Sequence, residues 1–106
     1  MDTLIQKEAG RTCQTYGATL ATPKTAAAQQ LLMTMSQDHG GDFWVALTNS
    51  SHDTSVYEWS DGAVATALEW APYQPQDNGY CVRVAGEGLK ISACNAQYYC
   101  ACQMAP

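Results

Sequence analysis

Basic residues are scarce in this chain: its 106 residues hold five Lys and Arg against ten Asp and Glu, a formal charge of −5. The few cations are scattered, so no basic stripe exists to neutralise phosphates, and nucleic acid is excluded as a partner on electrostatic grounds. No apolar run approaches the roughly 18 to 20 residues of a membrane span. The opening stretch, MDTLIQKEAG, lacks the apolar centre of a secretory signal. Paired Cys-x-x-Cys knuckles are missing too, and Cys100-Ala-Cys102 without a neighbouring histidine makes a poor zinc site. Nothing supplies a nucleophile beside a base, so the chain does not read as an enzyme.

What is present is cysteine. Five of them in a chain this short point to disulfides, because a small domain buries a small share of its surface and gains stability from cross-links. That places the chain in an oxidising, extracellular setting, as a mature secreted domain spanning 1–106. Asn49-Ser50-Ser51 is a glycosylation sequon in an expected surface turn, consistent with secretion.

Periodicity predicts a first helix over Asp2 to Thr15, with Leu4, Ile5, Ala9, Thr12 and Cys13 on one face and Gly17 as its stop. A second helix is expected with Thr22 as N-cap and Pro23 in the first helical position. Its apolar face is Ala27, Leu31, Leu32 and Met35, and it ends near His39-Gly40-Gly41. Then the pattern shifts to short strand-like runs, FWVAL, VYEWSDG, YCVRVAG, LKISAC and YYCACQM, separated by turn clusters. Two helices followed by strands predict an α+β fold.

Residues 64–80 fit neither period. A long, polar, proline-bearing segment in a compact domain is usually functional, and its end, WAPYQPQDNGYC, is crowded with amide and carboxylate oxygens. Elsewhere the chemistry is sparse. His39 and His52 stand in expected turns without partner ligands, and Glu58 and Asp61 flank a WSDG turn that accounts for Asp61. Cys100 and Cys102, two apart on an expected strand, share a face, so either can reach Cys13.

The motifs CQTYGATLATPKTAAAQQLL, FWVALT, YEWSDG, WAPYQP, YCVRV and the terminal C-x5-C-x-C run in order along the chain. Together they resemble the C-type lectin-like domain over nearly its whole length, in a short form without the family's N-terminal strand. The resemblance implies two helices flanking two small antiparallel sheets, with a long loop carrying the ligand site. It implies disulfides Cys13–Cys102 and Cys81–Cys94, leaving Cys100 unpaired as a small buried hydrophobe. Trp59 and Trp70 match framework positions and are expected in the core.

In sugar-binding relatives the long loop carries Glu-Pro-Asn or Gln-Pro-Asp with a cis proline, and a neighbouring strand completes a calcium cage. Here the first arm reads Gln74-Pro75-Gln76, which offers amides but no charge. The second arm falls on Leu89-Lys90-Ile91, where Lys90 would repel the ion and Ile91 cannot bind it. A shifted set of Asp77, Asn78 and Glu87 with backbone carbonyls would hold calcium only weakly, at ~10⁻⁴ to 10⁻³ M. Two functions follow. One is carbohydrate recognition, of microbial surface glycans as in innate-immune pattern recognition, through Gln74, Gln76, Asp77, Asn78 and Lys90, with or without calcium. The other is a protein-binding module that keeps the lectin fold, with Tyr73 at the loop tip as its anchor.

Overall fold

A computed structural model describes residues 3–49, 56–75 and 79–104. Helix α1 (Gln6–Thr15) leads into strand β1 (Ala18–Leu20), and helix α2 (Ala26–His39) follows. Strands β2 (Phe43–Thr48), β3 (Glu58–Trp59), β4 (Cys81–Ala85), β5 (Gly88–Ser92), β6 (Tyr99–Cys100) and β7 (Cys102–Met104) complete the chain. One sheet pairs β1 with β7 antiparallel; the other runs β3-β2-β4-β5, with β6 joining β2 in a short parallel pairing. The architecture is α+β, and two disulfides brace it. Cys13–Cys102 ties α1 to β7, and Cys81–Cys94 closes the start of β4 onto the turn after β5.

The core lies between α2 and the larger sheet, built on Phe43, Val45, Leu47, Trp59, Val82, Val84, Leu89 and Ile91. Strands β4 and β5 are each buried except at their middle residue, Arg83 and Lys90, which face each other across the ladder. Arg83 is neutralised by Asp42 at 2.6 Å and lies 4.9 Å from the Tyr98 ring centroid. A second cluster joins Ala9 and Cys13 of α1 to Trp44 and Ala46 on the other face of β2.

Several local expectations are corrected. Helix α1 starts at Gln6, because Leu4 is taken by Tyr98 in a two-bond bridge of 2.8 and 2.9 Å and Ile5 is the N-cap. Strand β1 is a missed element: three residues between two helices carry too little periodicity to announce themselves. Helix α2 is capped by Thr25, whose hydroxyl accepts from Ala28 N–H at 3.1 Å. Thr22 is unavailable for capping, since its N–H and hydroxyl both bond to the Gln103 side chain. The buried residues of α2 are Gln29, Leu32, Met33 and Ser36, so the helix is rotated from its expected face and Leu31 stands 63% exposed. Positions 100 and 102 do not share one strand, because the chain switches sheets at Ala101 between β6 and β7.

Asn49 is 3% exposed, with its N–H bonded to the Tyr80 carbonyl at 2.8 Å, so the sequon asparagine does not lie in a surface turn. His39 closes α2 with its ring edge-on to Phe43, at 5.6 Å between centroids, instead of standing free in a turn. His52 lies outside the described residues.

Candidate functional site

The long segment between β3 and β4 is fixed to the domain at several points. Its beginning pairs back on β3, with Trp59 N–H to Ala63 O at 2.9 Å and Ala65 N–H to Tyr57 O at 2.7 Å. Asp61 accepts from Ala63 N–H at 3.0 Å and takes an ion pair from Lys24 of the α2 approach, which holds its carboxyl below the usual range. This bears out a turn role for Asp61.

Further along, Gln29 of α2 holds the segment by its side chain. The amide is wholly buried: its oxygen accepts from Glu69 N–H at 2.7 Å, and its nitrogen donates to Pro23 O at 3.0 Å and Ala67 O at 3.4 Å. Sequence reasoning missed this residue. Its signal was the spacing of Gln29 with Leu32, Met33 and Ser36, the i, i+3, i+4, i+7 set of a buried face.

The outer edge of β5 receives the next stretch. Leu89 N–H donates to Glu69 O at 2.8 Å, Ala71 N–H donates to Leu89 O at 3.0 Å, and Ile91 N–H donates to the Gln74 side-chain oxygen at 3.1 Å. The loop thereby satisfies a strand edge that would otherwise face solvent unpaired. Trp70 rides over this seam, partly buried and packed on Tyr57 at 5.0 Å, and Trp59 is buried, as expected for framework positions. Gly88 makes the close approach possible. At φ +135, a Cβ there would come within 2.6 Å of Ala71 N.

At the tip, Tyr73 is 91% exposed and has φ 68, in the left-handed region, and the following Gln74–Pro75 bond is cis. Gln76, Asp77 and Asn78, three of the expected ligand residues, lie outside the described residues. Gln74 faces the domain, where its carbonyl oxygen is committed to β5. Lys90 and Glu87 form an ion pair across one turn of the hairpin, with 26% and 55% side-chain exposure, and the ammonium holds the Glu87 carboxyl below its usual range. Gln74 is thus anchored on β5, the strand that carries Lys90 and its partner Glu87, with Tyr73 next to it at the loop tip.

A calcium ion does not fit the described part of this end. The two residues flanking Lys90 are Leu89 and Ile91, both buried in the core, and Lys90 itself neutralises Glu87. Among the described residues no group of three His, Cys, Asp or Glu side chains is placed to hold a metal. A hard cation needs about six to eight oxygens including carboxylates, and the expected carboxylate that is described here, Glu87, is already paired with Lys90.

Cys100 is free and half-buried, and burial pushes its thiol pKa up. The disulfides are Cys13–Cys102 and Cys81–Cys94, and no described helix is long and apolar enough to cross a membrane.

Fold and site together define a small, disulfide-braced binding domain that presents its loop from a rigid sheet. The family described as the lectin C-type domain matches residues 3–104, and the chain belongs to that family, one of binding modules rather than enzymes. Among solved structures it is similar to TC14, a C-type lectin from the tunicate Polyandrocarpa misakiensis, at 21% identity and TM-score 0.82, covering 95% of this chain and 89% of that one. It is similar to human lithostathine at 19% identity and TM-score 0.83, covering 99% and 87%. It also resembles a calcium-independent type II antifreeze protein at 18% identity and TM-score 0.78, covering 95% and 78%. No curated protein matches the sequence.

Proposed function

We propose that the chain is an extracellular, calcium-independent carbohydrate-recognition domain that acts as one unit and takes glycans at the tip of the long loop. The observation that carries this reading is Tyr73: a 91% exposed ring held in the left-handed region on a loop tied to the sheet edge. Such backbone strain in a bulky residue costs about 1 to 3 kcal/mol and is characteristic of functional positions. A rigid aromatic face suits the apolar face of a sugar ring. Around it the sequence supplies Gln76, Asp77, Asn78, Glu87 and Lys90, hydrogen-bonding groups suited to sugar hydroxyls.

The Lys90–Glu87 pair takes the place of the ion. It presents donors and acceptors with little net charge, which fits neutral hexoses, and microbial surface polysaccharides are the class to screen first.

The test is a glycan and microbial-polysaccharide array, run with calcium and with a chelator. Binding is expected to survive the chelator. Tyr73→Ala should weaken it roughly tenfold, as loss of a stacked ring does, and Gln76→Ala should weaken it less. Binding abolished by the chelator would sink the calcium-free reading. Capture of a protein partner through Tyr73, with no glycan bound, would favour the protein-binding module instead.

A further inference from the structure

Away from the long loop, a cleft of about 330 Å³ opens between α2 and the C-terminal strands. Its walls are Pro23, Ala28, Leu32, Met35 and Phe43, with Leu31 exposed at the mouth. Among the described residues, no Asp, Glu, Lys or Arg lines it, and none of the long loop does. The amide and backbone groups of its C-terminal wall are already engaged. Thr22 and Gln103 bond to each other through N–H to Oε1 at 3.0 Å and Nε2 to Oγ1 at 2.9 Å, and Ala101 O is taken by Ala21 N–H at 2.7 Å. The His39 ring stands edge-on to Phe43, and the Cys100 thiol lies in the wall.

We propose that this cleft is a second binding site, for a neutral, hydrocarbon-like small molecule. The size fits: an apolar cavity of about 150 Å³ accepts benzene, so this one takes a molecule of about ten to twelve carbons. The chemistry selects against the alternatives. A carboxylate would lose its hydration with no Lys or Arg to meet it, and a peptide would bring backbone N–H and C=O groups to a C-terminal wall whose amide and backbone groups are already bonded, with the His39 ring as the remaining polar group. A second copy of the chain is disfavoured as occupant by its charge of −5. The burial that pushes up the Cys100 thiol accords with the same apolar surroundings.

The probe is N-phenyl-1-naphthylamine, an uncharged dye whose fluorescence rises on entering an apolar site. Saturable binding of one dye per chain is expected, with decan-1-ol displacing it and decanoate at least about tenfold less effective. Ala28→Trp should fill the cleft and abolish dye binding while circular dichroism and the melting temperature stay near wild type. Absence of saturable binding, equal competition by decanoate, or unchanged binding in a folded Ala28→Trp variant each overturns the proposal. Should that variant not fold, wild-type protein decides: decan-1-ol should slow alkylation of Cys100 by N-ethylmaleimide severalfold, and an unchanged rate overturns the proposal equally.

Discussion

Tyr73 concentrates the tension between stability and recognition in one residue. A left-handed backbone costs an L-residue roughly 1 to 2 kcal/mol that glycine escapes. Tyr73→Gly should therefore leave stability unchanged or improve it by up to about 1 kcal/mol, the rest being lost to the greater freedom of the unfolded chain, and should weaken glycan binding by at least the roughly tenfold expected of Tyr73→Ala. Denaturant melts beside the array check both halves, and a clear loss of stability would show that the ring packs where it is drawn as exposed. Glu87 gives a second residue-scale test. Its folded-state pKa is depressed by Lys90, so the pair's contribution is present above the ordinary carboxylate range and fades as pH falls through the lower, folded value. Both groups are partly exposed, so the stability effect is small. Lys90→Ala should instead show as a Glu87 carboxyl returning upward in an NMR titration. Cys100 behaves in the opposite sense: its raised thiol pKa predicts iodoacetamide alkylation at pH 8 well slower than for a free cysteine.

The long loop, as an element, owes its order to polar anchors supplied by other elements. Gln29→Ala removes three hydrogen bonds from a fully buried position and leaves Glu69 N–H and Ala67 O without that partner. A loss of about 1 to 3 kcal/mol is expected, together with faster amide exchange of residues 67–71 than of β4. Exchange as slow as wild type would show that the β5 seam alone fixes the loop. Gly88→Ala tests the seam itself, since its Cβ would press on the Ala71 backbone. Calcium has little to act on here. Binding at ~1 mM ion to a ~1 mM site adds only ~0.4 kcal/mol, or less than about 3 °C of melting temperature. A rise of about 10 °C would reveal a tight site that the described residues do not form.

For the molecule as a whole, the two disulfides divide the labour. Cys13–Cys102 spans 89 residues and joins the two ends of the chain, while Cys81–Cys94 spans 13 beside the long loop. Chain-entropy estimates give about 4.5 and about 3 kcal/mol, against a net stability of about 5 to 15 kcal/mol for such domains. The Cys13→Ser/Cys102→Ser variant should lose most of its denaturant resistance. Cys81→Ser/Cys94→Ser should stay folded at 25 °C and lose ligand affinity instead. The reverse order of midpoints would refute this division.

Sequence by itself determined the α+β class, the cysteine pairing that the family resemblance implied and the strand-rich second half. These are legible because apolar periodicity, turn residues and cysteine spacing are local or one-dimensional signals. It also singled out Tyr73 as an exposed ring on the long segment, and the structure leaves it 91% exposed. Tertiary structure alone decided the rest. The rotation of α2 depends on Gln29 finding Glu69 and Ala67, residues some 40 positions away. The capping of α2 passed from Thr22 to Thr25 because Gln103, 81 positions away, claimed the first. Gln74 turned inward because the β5 edge needed an acceptor, and Lys90 met Glu87 because a hairpin turn set them side by side. In each case a polar group had more than one possible partner, and which one it took was set by the long-range geometry of the fold, which no local pattern encodes.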